Sequence, residues 1–373
     1  MKKKILIAFG TRPEALKFVP LIETLRRSGQ FQVFVCLTGQ HREMLDQVVK
    51  LFKIKINADL RLMKPNQSLH YLTAEVVGKF GEVLEKIKPN LIFVQGDTTT
   101  ALMVALTSFY SKYRIAHLEA GLRTRNKWQP FPEEINRVLI SRLADYHFTP
   151  TKFATQNLIK EGIPKKLIFQ VGNSIVDTVN VTKPLLKKNY PIFKTINQKK
   201  RILFVTAHRR ESFGQDLKQI FTALKSITSR NSDVEIVYPV HLNPHVMIAA
   251  HKILNNIKRI HLLRPLSYEE TCWIMKNSYL ILTDSGGIQE EAPSFKKPVL
   301  VLRNTTERPE GIKAGIAKLV GTNQKKIIYQ TEQLLSSSKL YKRMSAKKNP
   351  YGDGSTSRRI ASQLKKILNR KGA

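Results

Sequence analysis

Short runs rich in β-branched residues alternate along this chain with longer amphipathic segments, and turn signals bound each run. That alternation predicts parallel strands joined by crossover helices, because a parallel pair needs a connection long enough to return to the same end of the sheet. In the first half, strands are expected at 4–9, 31–37, 91–95, 114–118, 145–149 and 167–171, with helices near 14–28, 40–50, 68–87, 98–112, 133–143 and 152–161. After Asn173 the regularity breaks into a Pro- and Lys-containing stretch, Pro184 through Lys200, and a fresh strand over 201–206 opens a second series. Its further strands fall near 234–239, 259–263, 279–283, 298–302 and 317–320, and its helices near 216–229, 245–256, 267–277, 287–294 and 324–337. The expected organisation is an N-terminal α/β domain over 1–172, a linker region over 173–200, a C-terminal α/β domain over 201–348, and a crossover segment with a helix over 349–373. In that last helix Ile360, Leu364 and Ile367 share a face that needs an apolar surface, and either domain is a candidate to supply it.

A length of 373 residues suits about two or three domains. With 42% hydrophobic and 24% charged residues, the composition fits neither a disordered chain nor a collagen-like or heptad-repeat fibre. The charge is unusual: 63 Lys and Arg against 28 Asp and Glu give a formal +35, which raises the question of nucleic acid or an anionic membrane. Aromatics interleaved with the basic residues are not found, nor is a nucleic-acid-binding module, so a nucleic-acid partner is not expected. Two distant cysteines, Cys36 and Cys272, argue against a disulfide framework and lack metal-ligand spacing. The opening Met1-Lys2-Lys3-Lys4 and the apolar run after it end at Gly10-Thr11-Arg12, too short for a signal peptide and better suited to a buried strand. No apolar stretch reaches the roughly 18–20 residues of a membrane helix, so a soluble, cytoplasmic protein without membrane insertion is expected.

Chemistry-bearing residues collect where strands give way to helices, the edge at which open α/β sheets bind ligands. The first strand ends in Gly10-Thr11-Arg12-Pro13-Glu14, where Pro13 suits a first helical turn, and Arg12 and Lys17 suit an anionic group. Taken alone it is an ordinary strand-to-helix turn. Gln95-Gly96-Asp97-Thr98-Thr99-Thr100 follows another strand, with Asp97 at the expected N-cap position, and His117-Leu118-Glu119 closes the next. At Phe131-Pro132-Glu133-Glu134-Ile135-Asn136-Arg137, the spacing puts Glu133 and Arg137 on one helical face, where a surface ion pair is the plain expectation. Convergence of Asp97, Glu119 and Glu133 on one crevice would instead make acid/base machinery. In the second series, strand 201–206 runs into His208-Arg209-Arg210, and strand 279–283 into Asp284-Ser285-Gly286-Gly287, a turn whose bare N–H groups face an anion at a helix start. Glu291 lies one turn on, within reach of a ribose diol, and Thr306-Glu307-Arg308 adds a cation. Neither a dinucleotide fingerprint nor a Walker A sequence is present, so the two sets of loops suggest a sugar nucleotide held between two lobes.

These motifs, taken in order from Gly10-Thr11-Arg12-Pro13-Glu14 through Thr38-Gly39-Gln40-His41-Arg42, Gly96-Asp97-Thr98, His117-Leu118-Glu119-Ala120-Gly121-Leu122-Arg123, Pro132-Glu133-Glu134, His208-Arg209-Arg210-Glu211-Ser212, Asp284-Ser285-Gly286-Gly287 and Thr306-Glu307-Arg308-Pro309-Glu310, resemble the non-hydrolysing UDP-N-acetylglucosamine 2-epimerases across essentially the whole chain. The resemblance implies two Rossmann-like domains facing a central cleft in a GT-B-like α/β fold, with the C-terminal helix packing back. It implies a homodimer that interconverts UDP-GlcNAc and UDP-ManNAc without NAD, metal or other cofactor, by UDP elimination and re-addition through 2-acetamidoglucal, supplying ManNAc units for surface polysaccharide. Carried over by motif, Asp97, Glu119, Glu133, Arg137 and His208 are the catalytic candidates. Arg12, Lys17, Asp97, Glu119, His208, Ser285, Gly286, Gly287, Glu291 and Arg308 are the substrate-binding ones. Some members have a second, allosteric UDP-GlcNAc site, for which Gln40, Glu43, Glu134, Arg209 and His241 are the candidates here; two side chains expected of it differ, at Glu43 and within Lys64-Pro65-Asn66-Gln67. A 2-epimerase of a modified UDP-sugar such as a 2,3-diacetamido uronate, a hydrolysing relative and a GT-B glycosyltransferase are the alternative readings.

Overall fold

The central apolar runs, at 5–9, 91–95, 202–205 and 280–283, become strands buried on both faces, as parallel sheets covered by helices require. The computed structural model describes residues 2–39, 43–64 and 67–369. They form two units, one of residues 1–178 with 352–373, the other of residues 179–351.

The first unit runs β1 (Lys3–Phe9), α1 (Arg12–Arg27), β2 (Phe31–Leu37), α2 (Glu43–Leu51), β3 (Ala58–Asp59), α3 (Leu69–Ile87), β4 (Leu91–Gln95), α4 (Thr99–Tyr110), β5 (Ile115–Leu118), α5 (Glu133–Leu143), β6 (Tyr146–Thr149), α6 (Lys152–Lys160), β7 (Ile168–Gln170) and α7 (Ser174–Thr182), whose last residues enter the second unit. Its strands are all parallel in the order β3-β2-β1-β4-β5-β6-β7. One face of the sheet packs Leu6, Ala8, Ile92 and Val94 against Val76, Phe80 and Leu84 of α3 and Leu102, Val104 and Ala105 of α4. A chain of neighbouring rings, Phe9, Phe18, Phe93, Phe148 and Phe169, fills the core elsewhere, with Phe93 and Phe148 stacked 5.6 Å apart.

The second unit runs β8 (Arg201–Thr206), α8 (Gln215–Arg230), β9 (Val234–Pro239), α9 (Pro244–Leu254), β10 (Ile260–Leu263), α10 (Tyr268–Asn277), β11 (Leu280–Thr283), α11 (Gly286–Glu291), β12 (Val299–Val301), α12 (Pro309–Lys313), β13 (Ala317–Leu319), α13 (Gln324–Ser336) and α14 (Ser338–Ser345). Its parallel sheet has the order β10-β9-β8-β11-β12-β13. Leu203, Val205, Leu280 and Leu282 pack against Leu217, Ile220 and Leu224 of α8 and Ile327 and Leu334 of α13.

The last helix, α15 (Thr356–Leu368), belongs to the first unit. Its apolar face, Ile360, Leu364 and Ile367, is buried, and α1 is its neighbour. Asp177 of α7 anchors its start: one carboxylate oxygen accepts the backbone N–H of Ser357 at 2.8 Å and the other that of Thr356 at 3.2 Å. No helix among the described residues is long and apolar enough to cross a membrane.

In both sheets the strand order reverses at one point, between β1 and β4 in the first and between β8 and β11 in the second. The loops at the carboxyl ends of the strands diverge there and leave room for a ligand.

Candidate active site

At the first reversal, three strand ends bring polar groups together. Glu14, wholly buried in the first turn of α1, accepts the N–H groups of Gly10 (3.0 Å) and Thr11 (2.7 Å) with one oxygen. Its other oxygen accepts the hydroxyl of Thr98 at 2.7 Å, so the β1 turn and the β4 turn share one carboxylate. Burial pushes the pKa of Glu14 up, and the hydrogen bonds from Thr98, Thr11 and Gly10 oppose that rise. Arg12 is held at the first position of α1 by this turn.

Thr98, not Asp97, caps α4: its side chain accepts the N–H of Ala101 at 3.0 Å. Asp97 is thereby left for another task. Its Oδ2 receives Nη2 of Arg137 at 2.5 Å. Arg137, from α5, is buried and donates Nη1 to Glu134 at 3.1 Å. The expected surface pair of Glu133 and Arg137 is therefore replaced by an inward one, in which buried Arg137 joins half-buried Asp97 to buried Glu134. The i,i+3 partner lies on the inner side of the helix, where the guanidinium also reaches across to the β4 loop. Glu134 in turn accepts the N–H groups of Thr124 (3.0 Å) and Arg125 (2.7 Å), which ties down the segment leading from β5 to α5. Glu133 opens α5 with Oε2 buried and without a hydrogen-bond partner.

Glu119 follows β5 in the left-handed region, at φ 64°, a conformation that costs a non-glycine residue energy and is kept where the surroundings over-determine it. Gly121 completes that turn: at φ 90° a Cβ there would lie 2.3 Å from the carbonyl oxygen of Ala154. The Glu119 carboxylate is clasped by Lys17 of α1 on Oε1 and by the amide of Gln95, the last residue of β4, on Oε2. Gln95 was not among the sequence candidates, although a buried amide ending an otherwise apolar strand, Leu91-Ile92-Phe93-Val94-Gln95, is a legible signal. Behind these groups His117 Nε2 meets the carbonyl of Gly96 at 2.8 Å. Burial pushes the pKa of His117 down to about 3, and the same cause takes its cross-strand partner His147 down to about 4.

At the second reversal, Asp284 after β11 is wholly buried and accepts the backbone N–H groups of His208 and Arg209, the latter at 2.7 Å. Ser285 stands at the N-cap of α11, its side chain making no cap hydrogen bond, and Gly286 and Gly287 open the helix. Arg308 crosses directly over Gly286, where a Cβ would lie 3.0 Å from the guanidinium carbon. Its Nε donates to Glu290 at 2.9 Å and its Nη1 to Glu307 at 2.6 Å. Glu307 also meets Arg303 at 2.8 Å and Arg209 at 3.8 Å. Burial opposes its charge, but Arg308, Arg303 and Arg209 outweigh that and bring its pKa down to about 2. Glu291 is buried at the end of α11, one turn beyond the glycine pair.

The sequence candidates therefore separate by unit. Asp97, Glu119, Glu133, Arg137, Arg12 and Lys17 lie at or beside the first reversal, and His208, Ser285, Gly286, Gly287, Glu291 and Arg308 at the second. Of the allosteric candidates, Gln40 lies outside the described residues, Glu43 opens α2, Glu134 is buried in the Arg137 cluster, and Arg209 and His241 flank His208. No group of three or more His, Cys, Asp or Glu is placed to hold a metal ion among the described residues.

The family model described as UDP-N-acetylglucosamine 2-epimerase matches residues 23–365. A UDP-N-acetylglucosamine 2-epimerase of Campylobacter jejuni is 48% identical, over 99% of this chain and 99% of its own. The enzyme of that name from Bacillus subtilis is 46% identical, over 98% and 96%. Among solved structures, a UDP-GlcNAc 2-epimerase of Neisseria meningitidis bound to UDP-GlcNAc superposes with TM-score 0.92 at 42% identity, covering 97% of this chain and 100% of that one.

Proposed function

Since this chain belongs to the UDP-N-acetylglucosamine 2-epimerase family, we propose that it interconverts UDP-N-acetylglucosamine and UDP-N-acetylmannosamine. The observation that carries the proposal is the gathering of Asp97, Glu119 and their cations at the reversal of the first sheet, in a chain related over nearly its whole length to enzymes of that name.

The C2 proton of the sugar is not adjacent to a carbonyl, so removing it alone would leave an unstabilised carbanion. Loss of UDP from C1 with that proton gives 2-acetamidoglucal and places the electron pair in the C1–C2 double bond. Protonation of C2 on the opposite face, with UDP returning to C1, then yields the epimer. The enzyme must supply a proton acceptor, a proton donor and cations for the departing diphosphate. Asp97 keeps part of its carboxylate exposed and has Arg137 on one oxygen, and Glu133 has an oxygen without a partner. These two are the proton carriers in this reading. Glu119, engaged on both oxygens, holds Lys17 and Gln95 in place beside them. His208, Ser285, Gly286, Gly287 and Arg308 bind the diphosphate, and Glu291 the ribose. The same reading makes the protein cytoplasmic and a homodimer; its mass in solution tests the second.

Incubation with UDP-GlcNAc in D2O, followed by NMR, tests the function: UDP-ManNAc carrying deuterium at C2 is the expected product. Free ManNAc with UDP would mark a hydrolysing enzyme. An unchanged substrate that turns over only with an acceptor would mark a glycosyltransferase.

A further inference from the structure

His208 leaves β8 at the reversal of the second sheet, and two other elements fix its ring. From the end of β11, Asp284 places its buried Oδ1 3.2 Å from His208 Nδ1, at ion-pair distance though outside hydrogen-bond geometry and with no other partner among the described residues, while Oδ2 accepts the backbone N–H groups of His208 and Arg209. From the segment after β9, His241 stacks on the face of the His208 ring, centroids 5.2 Å apart and planes 7° from parallel. His241 Nδ1 accepts the N–H of Asn243 at 3.1 Å. That nitrogen therefore carries no proton, and His241 is neutral with its proton on Nε2. Burial, and then the neighbouring His208, hold the pKa of His241 below the ordinary histidine value.

A carboxylate only accepts hydrogen bonds. Asp284 is charged: burial opposes its ionisation, but the hydrogen bonds and charge of His208 and the N–H groups of the turn keep its pKa low. With a carboxylate at Nδ1, the proton of His208 belongs on Nδ1 in the neutral ring as well as in the cation. We propose that Asp284 is a positioning residue which fixes the tautomer of His208, so that the ring meets the UDP-sugar, and exchanges protons with it, through Nε2 alone. The inference rests on the epimerase reading for the identity of the ligand but not for the state of the ring. His241 serves the same end by closing one face of the ring with a neutral partner.

The test reads the ring directly. In protein labelled with ¹⁵N-histidine, with His208 assigned by comparison with His208→Gln, the neutral ring should show its proton on Nδ1; a proton on Nε2 overturns the proposal. In Asp284→Asn the side-chain oxygen can still accept the two backbone N–H groups, but the amide now donates to Nδ1 and the tautomer should reverse. With UDP-GlcNAc that variant should lose roughly 10²- to 10⁴-fold in kcat with KM changed less than about threefold, the upper end being the loss seen for an amide replacement that reverses the tautomer of a His–Asp pair. Asp284→Asn in the His208→Gln background should cost no more than about twofold further, because the two side chains act as one unit. An equal loss in both backgrounds would mean that Asp284 acts independently of His208, and the proposal fails. Should the wild-type protein show the Nδ1 tautomer and its reversal yet leave UDP-GlcNAc unchanged, the pairing stands and the epimerase reading falls.

Discussion

At the scale of single residues, the site is defined by which partner each carboxylate has taken. Because Thr98 caps α4, Asp97 is spared for Arg137, and Asp97→Asn should leave UDP affinity within about threefold while lowering epimerisation by roughly 10²- to 10⁴-fold, the usual span for loss of an acid/base group. Calorimetric titration of UDP beside the turnover assay checks both halves, and unchanged turnover would remove Asp97 from the reaction. At Gly286 a methyl group would meet the Arg308 guanidinium, so Gly286→Ala should displace that cation and weaken UDP binding by about tenfold, with the melting temperature little altered. Motif spacing made Asp97, Glu119, Glu133 and His208 visible in the sequence. It did not reveal Gln95, Glu14 or Asp284, because their roles lie in partners on neighbouring strands: Asp284 meets a residue 76 positions away, and Glu14 one 84 positions away. A one-dimensional pattern carries burial and turn chemistry but not those pairings.

At the scale of elements, the strands and most helices follow the apolar runs of the sequence, and the exceptions have local causes. The helix α7, Ser-Ile-Val-Asp-Thr-Val-Asn-Val-Thr, is rich in β-branched residues of poor helix propensity and is held helical by its tertiary surroundings. The two-residue β3 is too short to show a period, and α14 is so polar that its single buried residue, Met344, leaves little stripe to read. Two elements support direct tests. The adjacent strands β5 and β6 bury His117 and His147 in neutral form. Their folded pKa values lie below the unfolded one, so the unfolded chain binds more protons as the pH falls, and the stability these groups confer is present above about pH 6.5 and is lost toward pH 3–4. Urea midpoints measured across that range should fall with pH, and His147→Leu should make the fall less steep. At the start of α15, Asp177→Ala would leave two buried N–H groups without an acceptor. It should cost about 1–3 kcal/mol of stability. Amide exchange should quicken first along Thr356–Leu368; uniform acceleration over the whole first unit would contradict a local role.

At the scale of the whole molecule, the charge of +35 is the property that the site uses least. Lys17, Arg137 and Arg308 are each engaged by carboxylates, and most of the remaining excess is lysine spread over helices and turns. What the excess can supply is a long-range field that draws in an anionic sugar nucleotide. Apparent KM should therefore rise several-fold between about 0.05 and 0.5 M salt with kcat nearly constant, and a flat KM would show the field to be irrelevant to capture. The return of α15 to the first unit bears on how this chain is made. Residues 179–351 leave the ribosome as one uninterrupted stretch and hold all the strands of the six-stranded sheet. The unit begun earlier must wait, with the face that receives Ile360, Leu364 and Ile367 uncovered, until the segment after Gly352 has been translated. The order of synthesis and the order of completion are thus reversed, and during that interval the earlier unit is the one that presents apolar surface to chaperones and to neighbouring nascent chains.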